Sequence, residues 1–140
     1  MYKLIVSDLD ETLLNDEHKV CEKNIAAIKK ATELGVKFVP ATGKGTVSVS
    51  YSSNRYLELN KHGVNKGEAM LKLAELLGIK KEETIAVGDN FNDMSMLNAA
   101  GLSVAAGNAV AAVKKSCKYV CKNDNNEGVL AEVIEKFILN

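Results

Sequence analysis

The sequence predicts an α/β fold in three layers, a parallel sheet covered by helices on both faces. Two observations predict it. Short apolar runs of strand length alternate with longer segments of helical periodicity along the whole chain. Polar, chemistry-bearing residues then gather just after the apolar runs, where ligands bind in such sheets.

The elements follow in order. Residues 2–7 carry Leu4, Ile5 and Val6 and read as a buried first strand. Residues 21–34 read as a helix, with Ile25, Ile28, Ala31 and Leu34 on one face and Gly35 as its stop. Residues 36–39 are a second strand, ended by Pro40. Val47 and Val49 alternate with serines and 56–59 alternates again, so the two segments predict a small hairpin around 52–55. Residues 66–77 are a helix with Ala69, Leu73, Leu76 and Leu77 inward, closed by Gly78. Then come a strand at 84–87, a short helix at 92–98 and a strand at 102–105. A helix at 109–115 follows, with Asn108 placed to cap it. A last strand at 118–121 precedes a terminal helix at 128–138, apolar at Val129, Val133, Ile134 and Phe137.

Length and charge narrow the function. The 140 residues suit one domain, 1–140, able to bury about two-thirds of its unfolded surface without staples. Eighteen basic residues balance eighteen acidic ones, which argues against a nucleic-acid surface. Three cysteines, an odd number with no framework, fit a reducing compartment. Cys117 and Cys121 are four apart, but no second ligand pair follows, so they read as small apolar fillers. No stretch approaches the ~18 apolar residues of a membrane helix, and the opening apolar run is too short for a signal peptide. A cytoplasmic location and no membrane partner are the expectation.

The strand ends carry the chemistry. Asp8-Leu9-Asp10-Glu11-Thr12 follows the first strand, Thr42-Gly43-Lys44 the second, and Gly88-Asp89-Asn90-Phe91-Asn92-Asp93 the strand at 84–87. Lys66 opens a helix after a loop. Each piece alone is a weak signal: a polar strand exit, a turn or a surface lysine. Together they bring Asp8, Asp10, Asp89 and Asp93 to one sheet edge. Like charges so close need compensation, and a hard divalent cation with oxygen ligands supplies it; magnesium suits a site where a phosphate also coordinates. Gly43-Lys44 is not a phosphate-binding P-loop, because Phe38 and Gly45 stand where that motif needs Gly and Ser or Thr.

In these residues the sequence resembles the haloacid dehalogenase superfamily, and within it the Cof-type sugar-phosphate phosphatases. Asp8 to Leu14 is similar to that family's first motif, Thr42-Gly43 to the second, Lys66-Gly67 to the third and Gly88 to Met94 to the fourth. Gly107-Asn108-Ala109 and Asn126-Glu127-Gly128-Val129 are similar to its C-terminal portion. The resemblance implies a Rossmann-like sheet and a magnesium-dependent phosphomonoester hydrolase. Asp8 would be the nucleophile and Asp10 the general acid and base. Thr42 would hold a phosphoryl oxygen, with Leu9, Gly43 and Asn92 around the phosphate. Lys66 would neutralise Asp8 and the phosphoryl group. Asp8, Asp89 and the carbonyl of Asp10 would bind magnesium, with Asp93 supporting the metal from behind.

Two departures accompany the match. Lys44 stands where relatives often carry Arg. More consequentially, Thr42 and Lys66 lie only 24 positions apart, where Cof-type relatives insert a whole α/β cap domain. Residues 52–59 resemble the segment that follows the cap, so 44–63 reads as a short replacement for it. Caps exclude water and contact the substrate beyond its phosphate. Without one, three outcomes follow: bulky phosphorylated substrates are accepted, a partner copy covers the open site, or turnover is weak and unselective. The expected partner is a small phosphorylated metabolite. Two other readings compete, a capless binding or scaffold protein with little turnover and a receiver-like module that holds phosphate on an aspartate. The receiver pattern needs adjacent acidic residues after the first strand and a lone acceptor Asp mid-chain, and this chain has neither.

Overall fold

A computed structural model describes residues 1–41 and 66–140, together with the backbone of 47–50 and 56–59. Five parallel strands form one sheet in the order β2-β1-β5-β6-β7. They are β1 (Leu4–Asp8), β2 (Lys37–Ala41), β5 (Thr84–Gly88), β6 (Leu102–Ala105) and β7 (Tyr119–Val120). The predicted hairpin is a separate antiparallel pair, β3 (Val47–Ser50) with β4 (Tyr56–Leu59), with Val47 opposite Leu59 and Ser50 opposite Tyr56. The helices are α1 (Glu22–Glu33), α2 (Lys66–Leu76), α3 (Met94–Ala99), α4 (Ala111–Ser116) and α5 (Val129–Phe137).

The continuous apolar strands are buried on both faces because each face has its own core. Ile5, Phe38, Ile85 and Val87 point into one core, built with Ala27 and Ala31 of α1 and Leu130, Val133 and Ile134 of α5. Leu4, Val6, Val39 and Ala86 point into the other, built with Met70 and Ala74 of α2, Met96 and Leu97 of α3 and Val113 of α4. Neighbouring positions on β1 thus serve opposite cores, as the two-residue period of a strand requires.

Several elements differ from the sequence expectation. Ile25 and Leu34 of the α1 segment are 54% and 56% exposed, and Leu76 of α2 is 76% exposed. The helices turn other stripes inward: Asn24, Ala27 and Ala31 on α1, and Lys66, Gly67, Met70 and Ala74 on α2. Small residues win on α1 because it lies close against α5. Asn24 is buried there, and its side-chain oxygen accepts the Ala131 N–H at 2.9 Å. Strand β2 runs on through Pro40 to Ala41, pairing Ser7 with Pro40 and Asp8 with Ala41. It is an edge strand of the five-stranded sheet, where proline's missing N–H interrupts no second ladder. Asn108 does not cap α4. That helix begins at Ala111, and the Asn108 side chain reaches back to the first loop instead. Cys117 and Cys121 belong to opposite cores, so they form no ligand pair. No helix among the described residues is long and apolar enough to cross a membrane.

Candidate active site

The strand order fixes where the site lies. The chain leaves β1 for β2 on one side and later returns to β5 on the other. The carboxyl ends of β1 and β5 therefore flank a switch point, the usual ligand crevice of a parallel sheet. Asp8 is the last residue of β1, and Asp89 directly follows Gly88, the last of β5.

Close packing brings a cation to them. Gly67 sits so near α3 that a Cβ there would lie 2.4 Å from the Ser95 carbonyl oxygen, and its N–H bonds Ser95 Oγ at 3.1 Å. This pins the first turn of α2. Lys66, its opening residue, is buried and aims its ammonium into the crevice. Nζ donates to Asp8 Oδ1 at 2.5 Å and to Asp93 Oδ1 at 2.7 Å. Asp93 is fully buried. Its other oxygen accepts the backbone N–H groups of Asp89 at 2.9 Å and Asn90 at 3.2 Å. Gly88 makes room for it, since a Cβ there would lie 2.6 Å from the Asp93 Cβ. Asp93 therefore orients Lys66 and the Asp89 loop together.

Three carboxylates, Asp8, Asp89 and Asp93, offer oxygens within 4.8 Å of one another. One ammonium stands among them. The formal balance is two negative charges in excess, the charge of one divalent cation. Electrostatics register the crowding in the metal-free state. Burial, hydrogen bonding with Asp8 and nearby negative charge push the Asp89 carboxyl up to about 8, against the pull of Thr12. Burial and the Asp93 charge raise Asp8, partly offset by Lys66. Burial works against the Lys66 charge, yet Asp8 and Asp93 hold its pKa above the usual lysine value.

Asp10 arrives by a different device. After Asp8 the chain makes one wide turn, closed by the Leu14 N–H on the Leu9 carbonyl at 2.9 Å. Asp10 is extended, with φ −65° and ψ 132°, while Glu11 is left-handed at φ 61°. Asp10 is half-buried and its carboxylate lies outside the three-residue group, so its expected metal contact rests on the carbonyl. Leu9 packs its side chain against the α1/α5 core, which leaves only its backbone for a phosphate. Thr12 is buried and donates to Asp89 Oδ1 at 2.9 Å, joining the turn to β5. The sequence signal for Thr12 is a hydroxyl two residues past the second aspartate of the first motif, a position to which the motif resemblance assigns no role. Asn92 is exposed, in the single turn Phe91–Asp93. Thr42, Gly43 and Lys44 lie outside the described residues.

The sequence pattern of haloacid dehalogenase-like hydrolases matches residues 5–51 and 44–134. The chain belongs to that family. Among curated relatives it is 38% identical over 138 residues to the phosphoglycolate phosphatase of Methanobrevibacter smithii, covering 95% of this chain and 56% of that one. It is also 38% identical over 93 residues to a 5-amino-6-(5-phospho-D-ribitylamino)uracil phosphatase of Bacillus subtilis, covering 66% of this chain and 37% of that one. This haloacid dehalogenase-like chain thus spans roughly half the length, or less, of these relatives. Its fold matches a haloacid dehalogenase-like hydrolase structure from B. subtilis with a TM-score of 0.85 at 19% identity, over 97% of this chain and 100% of that one.

Proposed function

We propose that this chain is the core of a magnesium-dependent phosphatase that hydrolyses small phosphomonoesters through an aspartyl-phosphate on Asp8. The observation that carries the reading is Lys66 held between Asp8 and Asp93, with Asp89 alongside. Asp8, Asp89 and the Asp10 carbonyl would hold a divalent cation, which when bound offsets charge on the phosphoryl oxygens. In the first half-reaction an Asp8 oxygen attacks phosphorus and the ester P–O bond breaks. Asp10 gives its proton to the departing oxygen. In the second, Asp10 takes a proton from water, the water oxygen attacks phosphorus, and the Asp8–phosphorus bond breaks to release inorganic phosphate. Lys66 follows the charge, shared with Asp8 at rest and with the phosphoryl group during transfer. Thr42 and Asn92 complete the phosphoryl contacts, with the backbones of Leu9 and Gly43.

The relatives act on unlike phosphate esters by name, so likeness alone does not select a substrate. The family pattern matches in two stretches that overlap at 44–51, which supports the reading of 44–63 as a short stand-in for a cap. We place the consequence in the substrate: an open site takes its selectivity from the phosphate, or from a second copy of the chain lying over it. The test is phosphate release from p-nitrophenyl phosphate with magnesium, alongside the oligomeric state. Chelation and Asp8→Asn are each expected to lower the rate at least about 10³-fold. Survival of activity in either case refutes the mechanism.

A further inference from the structure

The turn that carries Asp10 is held by side-chain amides from α1 and from two turns of the C-terminal half. Asn108 Nδ2 donates to the Glu11 carbonyl at 2.8 Å. Asn125 Nδ2 donates to the Leu14 carbonyl at 3.2 Å and to Asp16 Oδ1 at 3.1 Å. Asn24 Nδ2 reaches the Leu13 carbonyl at the longer distance of 3.5 Å. The two main donors are themselves linked, because Asn108 Oδ1 accepts the Asn125 N–H at 3.0 Å. Asn126 closes the far end by a reciprocal pair with Asp16, giving Nδ2 to Oδ2 at 3.0 Å and accepting the Asp16 N–H at 2.9 Å.

This investment is large for a surface loop. Asn125 is buried, although its neighbours 126 and 127 are exposed. Glu11 occupies the left-handed region, which a non-glycine residue adopts only when its surroundings hold it there. That conformation sets the path of the chain directly after Asp10, and the Asn108 amide is bonded to the carbonyl it presents. Two turns of the C-terminal half thereby fix the conformation of a five-residue turn nearly a hundred positions earlier.

We propose that Asn108 and Asn125 are positioning residues for Asp10, setting its proton-transfer geometry through the Glu11 and Leu14 carbonyls. The inference rests on the phosphatase reading above. A general acid must meet the leaving oxygen closely, and displacement of about 1 Å costs on the order of 10²-fold. The need depends on the leaving group. A p-nitrophenolate departs without help, whereas an alkoxide requires the proton.

The test is Asn108→Asp, which keeps size and the bond from Asn125 but removes the donation to Glu11. The comparison is kcat/KM, which reports steps through phosphorylation of Asp8, on glycerol phosphate and on p-nitrophenyl phosphate. Positioning predicts a loss of about 10²-fold on the alkyl ester and under about threefold on the aryl ester. Asp16→Ala, on the exposed end of the network, is expected to shift the same ratio in the same direction by less, with thermal unfolding reporting that each variant is folded. Equal losses on both esters, or no loss on either, overturn the positioning role and leave the phosphatase reading intact. Failure of the wild type on both esters overturns the phosphatase reading, and the positioning role falls with it. If Asn108→Asp does not fold, the Asp16→Ala ratio decides: an unchanged ratio refutes positioning.

Discussion

The two halves of the site are built on opposite plans. Asp8, Lys66, Asp89 and Asp93 sit at strand ends and a helix start, buried and bonded mainly to one another. Asp10 rides on a turn whose shape is imposed by asparagines far away in sequence. Under the proposed function the difference matches the work of each half. Groups that hold charge need fixed spacing and low dielectric, which a sheet edge and pinned helix supply. A group that exchanges protons with water must stay near solvent, and there a loop needs tethers of its own.

The largest expected effect breaks the buried half. Lys66→Met leaves Asp8 and Asp93 without their cation. Removing one partner of a buried ion pair costs about 3–5 kcal/mol, and thermal unfolding in chelator measures it. Adding magnesium is expected to return part of that stability and none of the catalysis.

A smaller effect needs no mutation. The folded Asp89 carboxyl titrates at about 8, above its value of about 4 in an unfolded chain. The folded metal-free chain therefore binds the extra proton between those values. This contribution is complete below about pH 4 and is lost as pH rises through about 8. In chelator the melting temperature should fall from pH 5 to pH 8.5; with magnesium saturating, that fall should largely vanish. A flat profile in chelator refutes the charge account of the buried half.

The smallest effect lies on the seam. Thr12→Val removes the hydroxyl that joins the Asp10 turn to Asp89. The expected loss is about 1 kcal/mol in denaturant unfolding, with the Asp89 carboxyl moving further up. If the two halves are independently built, the variant leaves the Asn108–Asn125 hydrogen bond in place, which hydrogen exchange of the Asn125 backbone N–H measures.

The same contrast explains what the sequence made legible. Asp8, Lys66, Asp89 and Asp93 were readable because each adjoins an element boundary, and a parallel sheet brings such boundaries to one edge. Alternating strands and helices made the layers readable for the same local reason. Helix facing was less so: Ile25 and Leu34 look inward by periodicity, yet contact with α5 favours Ala27, Ala31 and a buried Asn24. The tethers left no local signature, because a bond between Asn108 and Glu11 spans 97 positions. Asn108 beside a helix start reads most simply as a cap, and only the fold reveals the other use of its amide.

Pro40 has a consequence for how new architecture could be added here. It lies in the edge strand of the five-stranded sheet, with which no further strand pairs among the described residues. Ala41 and Lys66 are both buried and anchored, one in the β1 ladder and the other by its ion pairs. Both are thus anchored through partners that lie outside positions 42–65. Each doubling of the length of a flexible insert costs only about 0.6 kcal/mol. An insert placed after Thr42 and Gly43 and before Lys66 would therefore load neither the β1–β2 ladder nor the Lys66 ion pairs directly.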